Sequence, residues 1–195
     1  MKRTAKRATI HEILQIAMEL ERKAMALYTA FVSHHQNDPE LHRFWLTMAR
    51  HEAGHFGALA LVESMIENDP KLEVGSKVWF DEVTVVRLRS LLTAYLREAR
   101  EPVGIDRALE MAIDIESSEL EDLVVDLMQL VKDGAWREQA KQFLIHDLGD
   151  LSYMVEKFTR DEKLLRRADD LLDRRVKALR TPKRKRGASR TAENP

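Results

Sequence analysis

The chain has 195 residues, 44% of them hydrophobic and 33% charged, with only 7 glycines and 5 prolines. That balance excludes a disordered chain and argues against a turn-rich sandwich or barrel, which leaves long helices. Lys and Arg number 32 against 33 Asp and Glu, a formal net charge of -1, which argues against a globally basic nucleic-acid binder, and the lack of cysteine excludes disulfides, thiolate metal sites and cysteine nucleophiles.

Thr9-Ile-His-Glu12 has the spacing of a capping box and predicts a helix from residue 9 to about 34. Asp38-Pro39 supplies an N-cap and a proline at the first helical position, so a second helix runs to about 67, where Asn68-Asp69-Pro70 stops it. Residues 71–80, with Gly75 and Ser76, read as a loop, and 82–100 as a helix. Glu101-Pro102-Val103-Gly104 breaks the chain again. A third long helix is predicted over 105–131, a turn at Asp133-Gly134, and a fourth over 135–158. Residues 160–179 read as a charge-dense helix and 181–195 as a polar, basic tail. No apolar run approaches the roughly 20 residues needed to span a bilayer, and no apolar core follows the basic start. A cytoplasmic protein with no membrane partner is therefore expected.

A repeat organises the chain. Shifted by 95 residues, Ala17 falls on Ala112, Leu20 on Ile115, Glu21 on Glu116 and Asp38 on Asp133. His51-Glu52-Ala53-Gly54-His55 falls on His146-Asp147-Leu148-Gly149-Asp150 without a gap. Two helical hairpins joined by a long connector are the connectivity of a ferritin-like four-helix bundle with one crossover. The expected organisation is a tail over 1–8 and an all-α bundle over 9–159, with hairpins 9–67 and 105–159 and a crossover 68–104. A C-terminal helix over 160–180 and a disordered basic tail over 181–195 would follow.

Helical residues advance by about 100°. On the first helix Ile10, Leu14, Ala17, Met25, Tyr28 and Val32 form an apolar stripe with Glu21 in its middle. On the second, Leu41, Trp45, Met48, Phe56 and Leu59 surround Glu52, with His55 beside it. On the third, Ile105, Leu109, Ala112, Leu120, Leu123 and Leu127 surround Glu116, with Glu119 one turn on. On the fourth, Trp136, Phe143, Leu144, Leu151 and Met154 surround Asp147, with Asp150 one turn on. Four carboxylates buried at one level survive only if protonated, paired with cations or neutralised by metal. No Lys or Arg stands near the centre of any stripe, which favours metal, and carboxylates with an imidazole suit iron or manganese. Tyr28 is read first as core packing and His51 as a hydrogen-bonded core histidine, with a supporting place beside the site as the second reading of each. Asp114, Glu121 and Asp122 read as a solvated acidic face.

With these residues in view, the chain resembles the rubrerythrin branch of the ferritin-like superfamily over about residues 9–159. Glu21 seven residues before Tyr28, Glu52-x-x-His55 and Glu116-x-x-Glu119 match its motifs. Asp147 and Asp150 stand where that family carries a second Glu-x-x-His. The resemblance implies a centre of two iron ions, or manganese or a mixed pair, held by Glu21, Glu52, His55, Glu116, Glu119, Asp147 and Asp150. It implies reaction with hydrogen peroxide or dioxygen and a homodimer. Electrons would come from a separate donor, since the four-cysteine rubredoxin centre has no counterpart in this cysteine-free sequence. The rival readings are an iron-handling module without turnover and a scaffold that has lost its metal, working through 160–179 and the run Lys183-Arg184-Lys185-Arg186.

Overall fold

The computed structural model describes residues 9–69, 71, 82–128 and 148–180. Among the described residues the protein is all-helical, with no strand. Helix α1 spans Ile10–His34 and α2 spans Pro39–Asn68. Helix α3 is Glu82–Glu98, α4 is Ile105–Glu116, α5 is Glu119–Met128 and α6 is Glu162–Arg180. Residues 148–158 are also helical. No helix among the described residues is long and apolar enough to cross a membrane.

The starts of α1 and α2 follow from local chemistry. Thr9 Oγ1 accepts the Glu12 amide at 3.2 Å while the Glu12 carboxylate accepts the Thr9 amide at 2.7 Å. Two of the amides that a helix N-terminus leaves unpaired are thereby satisfied. Asp38 Oδ1 accepts the amides of Glu40 and Leu41, and Pro39 needs no acceptor.

The four-residue turn at 35–38 makes α1 and α2 antiparallel. Contacts between Gln15 and Glu63, Glu21 and His55, and Tyr28 and Trp45 run in opposite directions along the two helices. Helix α1 also packs against α3 and α5, α2 against α5, and α4 against α6. Contact on several sides widens the buried face of α1 beyond a single stripe. Leu20, Ala24, Leu27 and Phe31 are fully buried, while Met25 and Val32 lie at its margin. On α2 the inward positions follow 3–4 spacing through Trp45, Met48, Glu52, His55, Leu59, Val62 and Ile66. His55 takes the inward slot of its turn, so Phe56, expected in the core, falls to the edge at 36% exposure.

The third long helix expected over 105–131 is broken. Helix α4 ends at Glu116 and α5 begins at Glu119. Each serine of the intervening pair offers the backbone an alternative partner. Ser117 Oγ donates to the Asp114 carbonyl and Ser118 Oγ accepts the Leu120 amide. The carbonyls released by the break do not go unpaired, because Arg175 of α6 donates Nη2 to those of Glu116 and Ser118 at 3.3 and 3.2 Å.

Helix α6 is charge-dense yet docked. Leu164, Ala168 and Leu171 form a buried row at i, i+4, i+7. Arg167 pairs with Asp114 of α4, and Tyr95 of α3 donates its hydroxyl to the same carboxylate. Asp114 therefore bridges three helices and does not belong to a solvated face. Burial, and then the Asp114 carboxylate, push the Tyr95 phenol above its ordinary range. The expected turn at 133–134, the first half of the fourth helix and the terminal tail lie outside the described residues, as do the side chains of Glu121 and Asp122.

Candidate metal centre

Glu21, Glu52 and Glu116 are 0%, 2% and 3% exposed, and no Lys or Arg is buried among the described residues. Each sits among apolar neighbours because its helix buries the whole face on which the acid falls. Glu21 lies between the turns of Ala17 and Ala24, and Glu52 between Met48 and Leu59.

Three of the candidate ligands come together. Ligand atoms of Glu21, Glu52 and His55 all lie within 4.8 Å of one another. His55 Nδ1 is 3.6 Å from Glu21 Oε2 and 3.5 Å from Glu52 Oε2. Among the described residues, neither Glu21 oxygen receives a hydrogen bond, nor does Oε2 of Glu52. A buried carboxylate left this way is costly, and two facing each other cost more. The consequence shows at Glu52. Burial, and then the charge of Glu21, hold its carboxyl well above the usual range, against a smaller opposing pull from His55.

Glu116 is held differently. Tyr28, fully buried two turns after Glu21 on α1, donates its hydroxyl to Glu116 Oε1 at 2.9 Å. The Tyr28 ring stacks on Trp45 with centroids 6.0 Å apart and planes at 24°. Tyr28 is thus core and site at once. The clue in the sequence is general: a buried phenol needs a partner, and the acids are the polar groups on the inward stripes. Glu116 is also the last residue of α4, so the break that follows it and the Arg175 bonds to its carbonyl set where its side chain starts.

The remaining candidates are Glu119, Asp147 and Asp150. Glu119 opens α5 beyond the break, and its side chain lies outside the described residues, as does Asp147. Asp150 is half-buried and lines a surface cavity of about 200 Å³ with Glu40, Arg43, Phe44, Thr47, Tyr153 and Met154. His51, one turn before His55, is half-buried, and its repeat mate His146 lies outside the described residues.

The donor set fits a metal ion of intermediate hardness. Among the described residues it offers two carboxylates with oxygens that receive no hydrogen bond, one imidazole and no buried ammonium or guanidinium.

A bundle of antiparallel helices with a carboxylate and imidazole cluster inside it is ferritin-like in class. The rubrerythrin family model matches residues 12–144, about two thirds of the chain, and the protein belongs to that family. The match takes in Glu21, Tyr28, Glu52, His55, Glu116 and Glu119 and stops before Asp147 and Asp150. No curated protein and no solved structure matches the chain significantly.

Proposed function

We propose that this is a rubrerythrin-like di-metal carboxylate protein of the cytoplasm, binding iron or manganese and reacting with hydrogen peroxide or dioxygen. The observation that supports it most is the pairing of Glu21 and Glu52 in the core with unused oxygens beside His55 and no buried cation among the described residues. Glu21, Glu52 and His55 would hold one ion, and Glu116 would extend the set toward a second. Glu119, Asp147 and Asp150 remain candidates for completing it. When bound, such metals supply electrons to an oxidant and neutralise the buried acids.

The chain's own residues have separate tasks in this reading. Glu21 and Glu52, on the antiparallel helices α1 and α2, set the spacing of donor oxygens. Tyr28 orients Glu116 and offers a hydroxyl proton at Oε1. Leu20, Ala24, Met48 and Leu59 exclude water from the surroundings, which strengthens every charge interaction inside. The reductant would be a separate partner.

Metal analysis after growth with supplemented iron tests the reading. Wild-type protein should retain bound metal and Glu52→Ala should lose most of it. Fewer than about 0.2 ions per chain, unchanged by the substitution, would remove the proposal and leave the scaffold reading. The Tyr28 bond to Glu116 favours a second reading, in which one ion is held and handled without turnover. Anaerobic ferrous protein mixed with peroxide separates the two. Fast stoichiometric oxidation supports the enzyme, and oxidation at the rate of free ferrous ion supports the binding module.

A further inference from the structure

Toward the end of the α1–α2 pair remote from the 35–38 turn, a second convergence of donors lies on the surface. His11 of α1 faces Glu63 of α2, with Nδ1 3.1 Å from Oε1. Glu67 stands one turn beyond Glu63 on the same side of α2, and ligand atoms of all three lie within 4.8 Å of one another. Gln15 donates Nε2 to the same Glu63 oxygen at 2.5 Å, which fixes that carboxylate and leaves Oε2 available. Glu63 is 17% exposed and His11 55%.

Two carboxylates at i, i+4 repel. Several other surface acids meet guanidinium or ammonium groups: Glu19 meets Arg89 and Lys23, Glu98 and Glu110 meet Arg107, and Glu40 meets Lys157. Glu63 and Glu67 have no Lys or Arg partner among the described residues, and an imidazole is what faces them. Two carboxylates and one imidazole on rigid helices form a three-donor set, with water free to fill the other positions.

We propose that His11, Glu63 and Glu67 bind a divalent transition-metal ion at a second, solvent-exposed site. Ten residues separate His11 from Glu21 and eleven separate Glu52 from Glu63, so at about 1.5 Å per residue the two sites lie roughly 15 Å apart along the hairpin. Exposure makes the outer site weaker and faster to exchange than the buried one. Its existence does not rest on the proposed reaction, since none of its residues belongs to the inner cluster.

Anaerobic calorimetric titration of the full chain with Co(II) tests it. Wild type should show a weaker saturable event in addition to any tight one. His11→Ala and Glu67→Gln should each remove the weaker event, with an unchanged circular dichroism spectrum and melting curve, because both residues are exposed. Glu52→Gln should remove the tight event and keep the weaker one. Isotherms of His11→Ala and wild type that superimpose would overturn the outer site, leaving His11 and Glu63 an ordinary ion pair. Loss of the tight event in His11→Ala would overturn its independence. Failure of the inner reading alone would appear as no tight event in any protein while the weaker one persists.

Discussion

Removing one oxygen atom should reveal how strongly Tyr28 and Glu116 are coupled. In Tyr28→Phe the ring keeps its stack on Trp45 and its contact with Phe31, so no side-chain volume beyond the hydroxyl is lost. What disappears is the 2.9 Å bond to Glu116 Oε1, at a point where the phenol is 0% and the acid 3% exposed. Water does not replace the donor readily there, so losing this buried bond to a carboxylate should cost about 1–3 kcal/mol. For a chain of 150–250 residues each kcal/mol lowers the melting temperature by about 2–4 °C, which gives a fall of roughly 2–12 °C. The assay is thermal and urea unfolding of chelator-treated protein for wild type, Tyr28→Phe, Glu116→Gln and the double variant. The coupling energy from that cycle should exceed about 0.5 kcal/mol. A melting temperature within about 1 °C of wild type, together with additive single effects, would refute the bond.

Glu52→Gln should raise the stability of metal-free protein at neutral pH, because an amide relieves the repulsion from Glu21, and it should abolish the stabilisation that added metal gives wild type. Melting with and without ferrous or manganous ion checks both halves. His34 should give the fold an acid-side pH dependence. Its Nδ1 accepts the Val103 amide at 3.3 Å, and burial, with a smaller effect of His35, lowers its pKa below the ordinary 6.5. The unfolded chain therefore takes up the proton first. Stability is full above about pH 6.5 and declines as pH falls toward the folded value, and His34→Gln should flatten that decline in urea midpoints. Arg175→Ala should cost about 1–3 kcal/mol by removing the donor to the carbonyls of Glu116 and Ser118. It should also speed hydrogen exchange in α6 more than in α1.

How far the sequence speaks for the structure depends on whether a feature is local. The capping box at Thr9 and Glu12 and the Asp38-Pro39 start are decided by residues within one turn, and both helices begin where that chemistry places them. The inward positions of Glu21, Glu52 and Glu116 follow from 3.6-residue periodicity, because an acid centred on an apolar stripe goes where the stripe goes. Features set by distant partners were not legible. The break at Ser117-Ser118 is stabilised by Arg175, 57 residues further on. Asp114 looks like a surface acid until Tyr95 and Arg167 arrive from two other helices. Phe56 is inward by stripe-counting, but His55 occupies the slot. Tyr28 offers an apolar ring and a polar tip, and only the position of α4 shows that the tip meets Glu116.

Anomalous diffraction from crystals of the metal-loaded protein, at the absorption edge of the bound metal, tests the central claim most directly. A peak within coordination distance of Glu21, Glu52 and His55 is the predicted result. Loaded crystals that show no density between those three side chains, with metal only at His11, Glu63 and Glu67 or elsewhere on the surface, would contradict it.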